Sequence, residues 1–141
     1  CDLIVASEGA KFGISEVKRG LVAGGGGLVQ LPRLIPRALA MELALTGNPI
    51  TASRAAELGL INSVTQGPAL DAALTLAALI AENAPLALAA SKAVIRESWL
   101  WPQDEINQLQ NPYIAGVFDS DDAREGATAF SEKRQPIWRG C

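Results

Sequence analysis

The chain contains no histidine, and its only two cysteines, Cys1 and Cys141, stand at opposite ends. Without histidine there is no His-assisted serine or cysteine nucleophile and no histidine ligand for haem. Without a CxxC pair there is no zinc spacing either, so no metal site is expected. Two terminal thiols build no disulfide framework, which points to a reducing cytoplasm. Aromatic residues supply only 5% of a chain that is 49% hydrophobic, so Ala and Leu carry the apolar bulk. That composition favours helices packed on a modest amount of sheet, not disorder. Positive charge is scarce as well: 12 Lys and Arg stand against 15 Asp and Glu, for a net charge of −3. The cations adjoin only at Lys18-Arg19 and Lys133-Arg134. No basic stripe exists to neutralise a phosphate backbone, so nucleic acid is not an expected partner. The uncharged run 20–32 is too short and too glycine-rich to cross a membrane, and a soluble protein with no membrane partner is expected.

With 141 residues there is one domain's worth of chain, enough to bury a core. The opening Cys1-Asp2-Leu3-Ile4-Val5-Ala6 has no initiating Met and reads as the middle of a buried strand. The expectation is a fragment whose missing portion carries the neighbouring strands, leaving this first strand as an exposed edge.

Short strands are expected over 2–6 and 10–14, around the turn-like Ser7-Glu8-Gly9, and again over 60–65. Helices are expected over 28–34, over 36–46 with Pro36 at its first position and Gly47 closing it, and over 52–58 capped by Thr51. Apolar spacing predicts further helices over 69–83, 85–99 and 103–118. A last helix starts on Asp119-Ser120-Asp121-Asp122 and ends at Lys133-Arg134, both ends complementing its macrodipole. The layout is therefore a strand-rich start followed by a helical C-terminal half.

Three features can carry chemistry. Glu16 follows the strand-like Phe12-Gly13-Ile14 and stands eight residues before Gly24-Gly25-Gly26-Gly27. Walls of Phe12, Ile14, Leu21 and Val22 would desolvate its carboxylate and suit it to general acid or base work; alternatively it pairs with Lys18 or Arg19. The four glycines either offer backbone N–H donors to an oxygen or a bound water, or simply let the chain turn tightly onto a helix. Neither a phosphate-loop Lys-Ser/Thr nor the dinucleotide-binding glycine spacing is present. Near the C-terminus, Phe130 and Lys133 are three apart and share a helix face, where an aromatic plane beside a cation would suit an adenine carrying a phosphate. The alternative places Phe130 in the core and Lys133 in solvent.

Taken together, these segments resemble the enoyl-CoA hydratase/isomerase, or crotonase, superfamily. Phe12-Gly13-Ile14-Ser15-Glu16 is similar to its Phe-Gly-x-Pro-Glu motif, with Ser15 in place of the usual proline. Residues 21–34 resemble its glycine loop and helix. Leu45-Thr46-Gly47, Ala52 and Ala55-Ala56-Glu57-Leu58-Gly59-Leu60-Ile61 resemble its Leu-Thr-Gly…Ala…Gly-Leu-Val pattern, and the Arg-Glu-Gly…Phe…Glu-Lys-Arg ending fits too. The resemblance spans nearly the whole chain. It implies an α/β fold, namely part of a ββα spiral over 1–66 followed by a C-terminal helical trimerisation region over 67–141, in homotrimers or hexamers.

The resemblance also implies an acyl-CoA substrate, hydration of an α,β-unsaturated thioester as in fatty acid metabolism, and no cofactor beyond the CoA of the substrate. It assigns Glu16 as one of two catalytic glutamates, Gly24 as the loop glycine whose N–H places the water, and Phe130 and Lys133 as contacts to the CoA nucleotide. The first glutamate and both oxyanion donors belong upstream of Cys1 in the family pattern, so the piece alone is expected to be inactive. A double-bond isomerase and a hydroxyacyl- or carnitinyl-CoA dehydratase fit the same motifs. A non-catalytic oligomerisation module, with Trp99, Trp101 and Trp138 as interface anchors, is the alternative from another class.

Overall fold

A computed structural model describes residues 1–141. The chain divides into two compact units, Cys1–Thr75 and Leu76–Cys141, a break that falls later than the 66/67 boundary implied by the resemblance.

The first unit holds two small two-stranded sheets. Strand β1 (Val5–Ser7) runs parallel to β4 (Ser63–Thr65), and β2 (Lys11–Phe12) pairs antiparallel with β3 (Ile50–Thr51). The β1–β4 pair is extended by side-chain and loop bonds: the Ile4 N–H donates to Asn62 Oδ1 at 2.7 Å, and the Asn62 N–H returns to the Ile4 carbonyl at 2.8 Å. Only one edge of β1 is paired.

Between β3 and β4 lies helix α3 (Ala52–Glu57), started by Thr51, whose hydroxyl accepts from the Arg54 N–H at 3.2 Å. Ala52 and Ala55 are fully buried and pack with Ala6 and Ile61. A second cluster, Ile35, Ala40 and Leu43, joins helices α1 (Gly27–Leu34) and α2 (Arg37–Thr46). Leu60 and Ile61 lie in the turn before β4, not in the strand, because Gly59 (φ 75°) and the Leu60 N–H bond to the Ala55 carbonyl keep the chain curled there.

Two elements escaped the sequence reading. β3 has only two residues and its strand character comes from its pairing with β2, a tertiary effect. Residues 16–19, beyond the strand expected over 10–14, form one turn of 3-10 helix (Glu16–Arg19). Pro36 caps α2 from outside instead of forming its first residue.

The second unit is helical. Helix α4 (Ala69–Ala81) crosses the division, and α5 (Pro85–Glu97), α6 (Ile106–Phe118) and α7 (Asp121–Glu132) follow, with a 3-10 turn at Ser98–Leu100. Packing of α5 on α6 and of α6 on α7 organises it. The start of α6 is later than the expected residue 103, because the Glu105 N–H bonds the Pro102 carbonyl in a separate turn. At the start of α7, Ser120 Oγ accepts from the Ala123 N–H at 3.0 Å. No single helix is long and apolar enough to cross a membrane.

Candidate active site

Two close approaches fix where Glu16 stands. Gly13 passes the loop after α2 so tightly that a Cβ there would lie 3.0 Å from Pro49 Cα. Gly47, left-handed at φ 63° as the cap of α2, leaves no more room: a Cβ would stand 3.0 Å from Lys18 Cγ and 3.1 Å from Val17 Cγ2. The Leu-Thr-Gly segment is thus the floor on which the Glu16–Arg19 turn rests. Thr46 stiffens that floor, its hydroxyl donating to the Glu42 carbonyl at 2.7 Å and accepting from the Asn48 N–H at 3.2 Å.

Within the turn, both neighbouring cations are engaged away from Glu16. The Lys18 ammonium donates to Asn48 Oδ1 at 2.7 Å, and Arg19 Nη1 donates to Ser15 Oγ at 3.1 Å. The surface ion pair considered for Glu16 is therefore not formed, and this half-buried residue has no side-chain partner in the chain. The expected apolar walls are less complete. Ile14 reaches the glycine loop, 3.5 Å from where a Cβ on Gly27 would lie. Leu21 and Val22, however, are 60% and 75% exposed, so this chain by itself leaves that side open.

The glycine segment leads into α1 through Gly26 at φ 92°. Gly26 accepts at its carbonyl from Val29 and Gln30, while the N–H groups of Gly25, Gly26, Gly27 and Leu28 find no backbone acceptor, as at any helix start. Gly24 differs from expectation. Its N–H donates to the Val22 carbonyl at 2.8 Å inside a three-residue turn, so the amide singled out for holding water is occupied in this structure.

In the second unit, Phe130 is 88% exposed, which overturns the core alternative. Lys133 corrects the other half of that pairing. Helix α7 ends at Glu132, and Lys133 is a left-handed cap at φ 52°, the single non-glycine residue with positive φ. The two side chains thus flank the end of the helix and do not share a helical face.

The tail after the cap is held by groups not identified from the sequence as structural. Arg134 forks onto Glu125, with Nη1–Oε1 at 2.5 Å and Nη2–Oε2 at 2.9 Å, and the Ile137 N–H donates to the same carboxylate at 2.8 Å. These donors hold Glu125 well below its ordinary 4.5, at about 2. Asp122, only 3% exposed, accepts from the Arg139 and Gly140 N–H groups at 2.7 and 2.9 Å. Trp138 donates to the Glu82 carbonyl at 2.7 Å and lies on Gly126, where a Cβ would come within 3.3 Å of the indole. Trp138 is therefore an internal anchor, and Trp101 faces Tyr113 with ring centroids 5.8 Å apart; only Trp99, 68% exposed, remains open among the three tryptophans proposed as interface anchors. Cavities of about 230 and 520 Å³ line this tail, neither walled by Phe130 or Lys133.

Comparison with known proteins bears on the same segments. The chain matches the Enoyl-CoA hydratase/isomerase family over residues 1–141. Enoyl-CoA hydratase EchA19 of Mycobacterium tuberculosis is 49% identical over 136 residues, covering 96% of this chain and 51% of that protein. A carnitinyl-CoA dehydratase of Salmonella agona is 38% identical over 144 residues, covering 99% and 55%. Among solved structures, an enoyl-CoA hydratase from Mycobacterium tuberculosis superposes with a TM-score of 0.95 at 55% identity, over 100% of this chain and 56% of that one. The chain spans about half the length of the curated relatives it matches. Sequence and backbone agree from the first residue to the last: the α/β architecture is that of the crotonase fold, and the chain belongs to the enoyl-CoA hydratase/isomerase family.

Proposed function

We propose that the complete protein hydrates an α,β-unsaturated acyl-CoA thioester and that Glu16 moves a proton in that reaction. The observation that carries this reading is the half-buried, unpaired Glu16, in a turn whose Val17 and Lys18 rest on Gly47, with both adjacent cations bonded elsewhere. A carboxylate kept out of ion pairs is available to accept a proton from water or return one to carbon. In the proposed step, water oxygen bonds to Cβ as the double-bond electrons shift to the thioester oxygen and one water proton leaves to a carboxylate; the enolate then re-forms its carbonyl as Cα takes a proton from a carboxylic acid. The enolate oxygen needs N–H donors from outside this chain, in the half of its relatives' length that it does not span. Gly24 contributes to water placement only when its N–H leaves the Val22 carbonyl; the amides of Gly25 and Gly26 are the donors of the same loop with no acceptor.

Phe130 and Lys133 are assigned to the CoA nucleotide, supported by the exposure of the ring and the unusual cap geometry that turns Lys133 off the helix. CoA arrives with the substrate, and no metal or redox cofactor enters the proposal. Exposed apolar residues on the second unit, Ile95, Trp99, Leu100 and Phe118 among them, support assembly into a homotrimer or hexamer, and cytoplasmic residence is part of the same reading. The likeness to a carnitinyl-CoA dehydratase supports a second reading with the same residues, since dehydration is hydration reversed. Offering the complete protein a 2-enoyl-CoA in oxygen-labelled water tests the reaction class. A 3-hydroxyacyl-CoA labelled at Cβ is expected, whereas double-bond migration without label would show an isomerase.

A further inference from the structure

The chain must hold the Glu16 turn in place, and it does so with few interactions. The turn is one cycle of 3-10 helix with no buried residue, so burial cannot fix it. Its closing bonds are local: the Leu21 N–H reaches the Glu16 carbonyl at 3.1 Å, the Gly20 N–H reaches the Val17 carbonyl at 3.3 Å, and Arg19 returns to Ser15. None of these ties the turn to the rest of the unit. The side-chain hydrogen bond that does so is Lys18 Nζ to Asn48 Oδ1, 2.7 Å long and spanning 30 positions of sequence. The Lys18 stem reinforces it, because Cγ and Cε lie against the bare α-carbon of Gly47, 3.0 and 3.1 Å from where a Cβ would be.

Resting on the proposed role of Glu16, we infer that Lys18 is a positioning residue: with Asn48 and Gly47 it forms a tether that sets the carboxylate two residues before it. The ammonium points to a neutral amide and not to Glu16, so its effect on turnover runs through geometry. Ser15 makes the tether more necessary. Its φ of −101° lies outside the range a proline ring permits, so the entry to the turn is not rigid by itself and relies on the Arg19–Ser15 bond and the Lys18 anchor.

The test measures kcat, KM and thermal midpoint of the complete protein carrying Lys18→Met, Asn48→Ala, both together, and Glu16→Gln. Lys18→Met keeps an apolar stem on Gly47 and removes only the donor. Each single tether variant should lower kcat by about tenfold, since an ångström of misplacement can cost more than that. KM and thermal midpoint should stay near the parent values, and the double variant should be no slower than either single, because both remove one bond. Asn48→Asp, which keeps an acceptor oxygen, should retain more of kcat than Asn48→Ala. Parent-like kcat in Lys18→Met, or additive losses in the double variant, would overturn the tether. Glu16→Gln separates the two ideas: if it abolishes turnover while Lys18→Met keeps the parent kcat, only the tether fails, and if it leaves turnover intact, the role of Glu16 and the tether fall together.

Discussion

At the scale of single residues, the structure decides between alternatives that spacing leaves open. Glu16 was visible in the sequence as a carboxylate near a glycine run, but whether Lys18 or Arg19 neutralised it depended on where those long side chains reached. They reach Asn48 and Ser15. Phe130 was equally ambiguous until its exposure was known. Gly47 was legible as a helix cap, whereas its second role, clearing space for Lys18 and Val17, is a contact with residues 29 and 30 positions away that no local pattern encodes. That double role predicts the effect of Gly47→Ala. A left-handed φ costs a residue with a Cβ about 1–2 kcal/mol, and the added methyl would press on the turn as well. Chemical denaturation should show a loss of at least that size, with turnover falling further than stability alone explains. A loss below about 0.5 kcal/mol, the ordinary spread for surface substitutions, would mean the turn does not rest on this glycine.

Among the elements, the long amphipathic helices were read within a few residues of their ends, because 3.6-residue spacing, Pro and Gly punctuate them. The two-residue strands and the 3-10 turn were not, since pairing and docking create them. The tail after α7 is the clearest case. Its acids and cations were read as complements to the helix dipole, yet Arg134 and the Ile137 N–H are spent on Glu125, and Asp122 is spent on the Arg139 and Gly140 N–H groups. Glu125 at about 2 against an ordinary 4.5 binds its proton less tightly folded than unfolded, so its contribution is fully present above pH 4.5 and is lost as pH falls toward 2. Thermal midpoints recorded down this range should drop more steeply for the parent than for Glu125→Gln, which lacks the titrating group. Parallel curves would show that this carboxylate does not clamp the tail.

For the molecule as a whole, family and fold were legible because motif order carries both, and the match extends over every residue. The site was legible only in part. The chain spans about half the length of the curated relatives it matches, and beside Glu16 the expected apolar residues Leu21 and Val22 are exposed. The division into Cys1–Thr75 and Leu76–Cys141 puts Glu16 and the glycine loop in the first unit and Phe130 and Lys133 in the second. The central claim is that the Glu16 carboxylate transfers a proton during thioester hydration, and the most direct measurement is the steady-state rate of the complete protein with Glu16→Gln, a substitution that keeps shape and removes the titrating group. General acid–base catalysis predicts a fall in kcat of about 10²–10⁴-fold with KM little changed; turnover equal to that of the parent would contradict the account.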